Sequence, residues 1–160
     1  MNEQTSFTEA EAQLFFAKRF NGKTWELFNK KDRTPEENDR MLDYAHASLA
    51  HWRAAGTAVN VQRGEWMIAR AWIHLGDGEQ ALRHAGRAAE LTASHPDLME
   101  DFDFAFAYEC QSRAHALCGH TDEARRFITL AQKAGEAIAD EEDRTIFFED
   151  FNSGNWSGEK

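Results

Sequence analysis

Residues 61–96 read VQRGEWMIARAWIHLGDGEQALRHAGRAAELTASHP, and this stretch decides the fold. Ile68, Ala71, Trp72 and Leu75 recur at the spacing that gathers apolar side chains on one face of an α-helix. Beyond Leu75-Gly76-Asp77, the residues Ala81, Leu82, Ala85, Ala88, Ala89 and Leu91 do the same. Gly76 can take the left-handed conformation that closes one helix, and the Asp77 carboxylate is suited to cap the next. The stretch therefore predicts two antiparallel helices joined by a short turn. His95-Pro96 ends the second, because proline has no N–H to continue the ladder.

Working outward, Thr34-Pro35-Glu36-Glu37 combines a capping threonine, proline at the first helical position and a glutamate three residues after the cap. It predicts a helix to Ala55 with Met41, Leu42, Ala45, Leu49 and Trp52 on its apolar side, closed by Gly56. Ahead of it, the overlapping pairs Ser6/Glu9 and Thr8/Glu11 open a helix over Thr8 to Phe20. Asn21-Gly22 is expected to stop that helix and leave a separate turn over Thr24–Phe28. Downstream, a helix is expected from Asp97 to Cys118 and, after Gly119, another from Thr121 through Ile138. Asp140-Glu141-Glu142-Asp143 places negative charge at the positive end of a last short helix carrying Ile146, Phe147, Phe148 and Phe151. The sum is one all-α domain, an antiparallel helix-hairpin array of seven to eight helices. Residues 1–33 form N-terminal capping helices, 34–138 the array and 139–151 a C-terminal capping helix. Residues 152–160, apart from Trp156, are expected to be a flexible tail.

Composition bounds the function. The chain has 160 residues, twelve Phe and five Trp, enough to bury a core. A formal net charge of −10 repels phosphate at long range, so neither nucleic acid nor an anionic membrane is expected as a partner. Met1-Asn2-Glu3-Gln4 carries neither the basic nor the apolar region of a signal peptide, and the expected location is the cytoplasm. Cys110 and Cys118 share one predicted helix about 12 Å apart, too far for a disulfide. Both are expected as reduced thiols.

Gly76 and Gly119, Ala81 and Ala124, and Ala88 and Ala131 are each 43 residues apart, so the helix pair repeats. On that offset Trp72 overlays His115 and Ala69 overlays Ser112, keeping a small residue where two helices approach closely. The pattern Ala69, Trp72, Leu75-Gly76-Asp77, Ala81, Ala88 and Pro96 resembles a tetratricopeptide repeat. Ser112, Gly119, Ala124 and Ala131 form a second copy. The resemblance covers Val61 to Ile138 and implies a right-handed superhelix of stacked pairs. The period is longer than the family's usual ~34 residues. The blocks His51-Trp52, Arg63-Gly64-Glu65-Trp66, Asp101-Phe102-Asp103 and Glu142-Asp143-Arg144 are similar to a group of uncharacterised bacterial helical-repeat proteins, a likeness that implies no activity.

In tetratricopeptide arrays the first helix of each pair lines a groove. The resemblance puts that groove on Arg63, Trp66, Arg70, Ile73 and His74, and on Phe106, Glu109, Arg113, Ala116 and Leu117 in the second copy. Spacing supports a shared face, since Arg63, Trp66, Arg70 and His74 step by three, four and four. Arginine forks hold carboxylates through two parallel hydrogen bonds, and the indole adds stacking. The expected partner-binding residues are Arg63, Trp66, Arg70, His74, Glu109 and Arg113. The expected guest is an acidic or carboxylate-terminated protein or peptide. The competing expectation is that Arg63 and Arg70 pair internally with Glu109, Asp101 or Asp103 and stitch helices together.

Chemistry has less support. His46 and His51 do not face each other on one helix, and there is no His-Glu-x-x-His, Cys-x-x-Cys or Glu-x-x-His motif. No metal, cofactor or catalytic residue is expected. The alternative function is an enzyme or small-molecule sensor in which His46, His74, Glu109 or His115 line a closed pocket. A third reading is self-association into a homo-oligomer through exposed aromatic surface, with the Trp156 tail docking into its own or a neighbour's groove.

Overall fold

The computed structural model describes residues 6–154, and those residues contain seven α-helices, one 3-10 turn and no strand. The helices are α1 (Glu9–Phe28), α2 (Pro35–Ala55), α3 (Ala58–Leu75), α4 (Gly78–Ser94), α5 (Asp101–Leu117), α6 (Thr121–Glu136) and α7 (Glu141–Phe151). Trp156 and the end of the expected tail lie outside the described residues.

Both hairpin turns form as the glycines require. Gly76 and Gly119 have φ of 79° and 73°, the left-handed region that a side chain disfavours. The hydrogen bonds also repeat at the 43-residue offset. Gly76 N–H donates to Ile73 O and Asp77 N–H to Trp72 O, while Gly119 N–H donates to Ala116 O and His120 N–H to His115 O. Backbone geometry thus carries the repeat that the alanines suggest.

Consecutive helices pack as antiparallel neighbours, and α5 also touches α3 and α7. Trp25 of α1 meets Trp66 of α3 with ring centroids 6.1 Å apart, and Phe28 meets His74 at 4.5 Å. Helices α1, α3, α5 and α7 therefore stand in one row, with α2, α4 and α6 backing it. Small residues let the layers approach: Ala69, Ala81, Ala85 and Ala114 are buried in the α3–α4–α5 junction, and Ala105 and Ala131 in the junction that Phe147 and Phe151 of α7 fill. Ser112, one offset from Ala69, is buried and donates to Ala124 O of α6 at 2.7 Å.

Three expected boundaries change. Helix α1 continues through Asn21-Gly22 instead of stopping. A mid-helix glycine costs about 1 kcal/mol relative to alanine. Burying Trp25 and Phe28 against α3 in the same helical phase is worth about 1.5–3 kcal/mol for each side chain fully covered, so even partial burial outweighs it. Helix α5 begins at Asp101 rather than Asp97, because Pro96–Leu98 forms a 3-10 turn and Glu100 caps the helix, its N–H donating to Asp103 Oδ2 at 2.9 Å. Helix α6 ends at Glu136. Ile138 is still buried, held beyond the helix by Arg144, which donates to its carbonyl at 2.9 Å.

Candidate functional site

The row α1–α3–α5–α7 carries every residue expected to bind a partner, and the structure divides them into two groups. Arg70 is 3% exposed. It donates to Glu109 Oε1 of α5 at 2.8 Å and to Asp150 Oδ1 of α7 at 2.8 Å. Arg113 donates to the same Glu109 oxygen, and its Nη2 reaches the carbonyls of Asp150 at 2.9 Å and Ser153 at 3.0 Å. Burial alone disfavours a charge on Arg70, but the carboxylates of Glu109 and Asp150 outweigh it and hold the guanidinium pKa above its usual value. Arg70, Glu109 and Arg113 thus form an internal ion-pair cluster that ties α3 to α5 and α5 to α7. Arg70 pairs with Glu109, as the competing expectation had it, and Arg113, expected only as a groove residue, joins the same carboxylate. All three are buried, Glu109 completely.

Arg63 and Trp66 sit differently. Arg63 makes a fork with Asp103, Nε to Oδ1 and Nη2 to Oδ2, both at 2.9 Å, while its side chain remains 43% exposed. The Asp103 hydrogen bond raises its pKa. Its Nη1 lies outside that fork. Trp66 stands edge-on to Phe106, ring centroids 5.5 Å apart, with the Arg70 guanidinium 5.8 Å from its own ring centroid. Asp101, the other acid expected opposite the arginines, instead accepts the backbone N–H of Ala139 at 2.8 Å.

Between these side chains is a cavity of about 320 Å³ that all four helices of the row line. Helix α1 supplies Asn21 and Trp25, and α3 supplies Gln62, Arg63, Trp66 and Met67. Helix α5 supplies Phe102, Asp103 and Phe106, and α7 supplies Ile146. The wall is mainly aromatic and aliphatic, with the Arg63–Asp103 pair as its charged part. Gln62 is 2% exposed and spends its amide N–H on Thr92 Oγ1 at 3.0 Å. Its Oε1 has no hydrogen-bond partner, and neither has Trp66 Nε1. Two of the residues that line the cavity thus hold an unpaired acceptor and an unpaired donor, both buried. Each is a buried polar group that costs about 1–3 kcal/mol while unsatisfied.

The four residues of the enzyme alternative do not converge. His74 lies against Phe28, and its pKa is lowered to about 4, first by desolvation and then by the charges of Arg70 and Arg33. It is therefore neutral at pH 7. His115 faces His120, with Nδ1 atoms 3.1 Å apart, and stacks on Phe127. His46 lies beside His84, ring centroids 5.5 Å apart. Among the described residues no group of three or more His, Cys, Asp or Glu gathers to hold a metal ion. Nor, among those residues, is any helix long and apolar enough to cross a membrane.

Three features escaped the sequence reading. Asp150, 80 residues from Arg70, had no signal beyond its place in a Phe-rich helix. Glu65 is buried between Arg53, at 2.5 Å, and His84 Nδ1, at 2.6 Å, binding α2, α3 and α4. Although desolvation opposes it, the bond from His84 and nearby positive charge hold the Glu65 pKa below the ordinary carboxylate value. The cavity itself needs Asn21, Trp25 and Ile146 from the ends of the chain, which only the folded row brings to Trp66. No family model matches the chain, and searches of curated proteins and of solved structures likewise give no match.

Proposed function

We propose that this protein is a non-enzymatic binding module that receives a protein or peptide segment along the α1–α3–α5–α7 row, with an apolar side chain seated in the cavity beside Trp66. In this reading the row is the groove of a tetratricopeptide-like right-handed superhelix. The observation that carries the proposal is an aromatic-walled cavity of about 320 Å³ two of whose lining residues, Gln62 and Trp66, each keep a buried polar atom, Oε1 and Nε1, without a partner; a guest that shifts those side chains can pair them. A peptide amide offers both complements, an N–H and a carbonyl. A carboxylate next to the anchor would meet Arg63 Nη1, so acidic or carboxylate-terminated segments are the favoured guests. Arg63 already shares its charge with Asp103, and the apolar anchor supplies most of the affinity.

The direct test is binding to a peptide array that varies anchor and neighbouring charge independently. Wild type should select an apolar anchor with an adjacent acid. Asn21→Trp, which fills the cavity from α1, should abolish selection, and Arg63→Gln should remove only the preference for acid. Arrays that show no anchor preference, or an Asn21→Trp protein that selects like wild type, would overturn this function. The cavity is also within the ~300–1,000 Å³ typical of small-molecule sites. A small apolar amide or carboxylate that raises Tm in wild type but not in Asn21→Trp, with a silent peptide array, would favour that second reading.

A further inference from the structure

Helix α1 closes the N-terminal end of the array, where a repeat protein ordinarily turns a polar face to water. Here that face is apolar. Phe7 is 58% exposed, Leu14 36%, Phe15 48% and Phe16 41%. The aromatic rings lie in contact: Phe7 with Phe15 at 6.0 Å between centroids, Phe15 with Phe16 at 5.3 Å. Leu14, Phe15 and Phe16 on α1, with Phe7 just ahead of the Thr8 cap, mark an interaction surface rather than scattered exposure.

The residues along the stripe identify what covers it. Positions 11, 14, 15 and 18 of α1 step by three, one and three, a spacing that reads the same in both directions about the point between Leu14 and Phe15. The residues are Glu11, Leu14, Phe15 and Lys18, and all four are exposed. Reversing the stripe against itself places Glu11 opposite Lys18 twice and Leu14 opposite Phe15 twice. An apolar pair and an opposite-charge pair are repeated by two-fold symmetry, the signature of an isologous contact.

The other end of the molecule offers no equal counterpart. On α6 and α7 the large apolar side chain left exposed among the described residues is Ile146, which borders the cavity instead. Among the described residues, head-to-tail stacking of copies therefore has no apolar stripe to place on the α1 face. We propose that α1 is a self-association surface, with two copies packing their α1 helices antiparallel about a two-fold axis between Leu14 and Phe15.

The experiment is sedimentation equilibrium of the full chain with charge reversals on α1. Wild type should reach the mass of two chains with rising concentration. Lys18→Glu should weaken association about tenfold or more, because symmetry applies each exposed-pair change twice. Glu11→Lys should do the same, and the double variant should recover it. The sharpest arm mixes the two single variants. Each alone repels itself, but the mixture restores both opposite-charge pairs and should form a heterodimer. Glu11 also closes a capping box with Thr8, so Phe15→Glu stands in if Glu11→Lys frays the helix by circular dichroism. Wild type that sediments as one chain throughout would overturn the proposal. So would a Lys18→Glu or Phe15→Glu variant that associates like wild type, or single variants that mix without pairing.

Discussion

Arg70 shows how a charge can sit in the middle of this row without being available to a guest. Its guanidinium is enclosed by Glu109, Asp150, Trp66 and Phe28, and Glu109 also serves Arg113. Removing one member of a buried ion pair strands the others, a loss of about 3–5 kcal/mol. Arg70→Ala should therefore lower the free energy of unfolding by about that amount in urea titration, whereas Arg63→Ala, at a half-exposed pair, should cost about 1 kcal/mol or less. Equal losses would mean that the Arg70 cluster is solvated. His74 gives the second residue-scale expectation. Its folded pKa of about 4 lies below the ordinary imidazole value of 6.5, so within that window the unfolded chain binds a proton that the folded chain refuses. The stabilisation is complete above about pH 6.5 and is lost as pH falls toward about 4. The ring is exposed, and solvent screens part of the effect. His74→Gln should flatten the acid limb of a plot of urea midpoint against pH, and an unchanged limb would assign that limb to other groups.

At the scale of elements, small residues decide where helices come together. Gly135 of α6 lies directly under Phe147 of α7, and a Cβ there would collide with the ring. Gly135→Ala should cost about 1–3 kcal/mol as an overpacked junction and should loosen α7, because Phe147 anchors that helix. Hydrogen exchange would show protection lost first across 141–151, and a variant as protected as wild type would mean that α7 is held elsewhere. Element starts were mostly legible from caps. Thr8, Thr34 and Asp77 each cap the helix they were expected to open. The error at α1 has a physical cause: local signals price Asn21-Gly22 as a stop, while the partners that hold Trp25 and Phe28 in the helix are about 40 residues away in α3.

For the whole molecule, the 43-residue offset made the helix-hairpin array readable, because glycine turns and alanine contacts repeat in the chain itself. The site was only half readable. Arg63, Trp66, Arg70 and His74 do share one face of α3, since helical phase is local information. Which of them faces a cavity and which faces a carboxylate depends on α1 and α7, the first and last helices, and no spacing within α3 encodes that. The arginine face therefore separates into a buried cluster that holds three helices together and a more open pair beside an aromatic cavity.

The most direct measurement of the binding role is the indole N–H resonance of Trp66, assigned by its loss in Trp66→Phe, during titration with array-selected peptides. A guest carbonyl accepting from Trp66 Nε1 should move that resonance downfield and saturate with the same dissociation constant that calorimetry gives, and Asn21→Trp should suppress both signals. Peptides that bind by calorimetry while the Trp66 resonance stays fixed would contradict the cavity as the binding site.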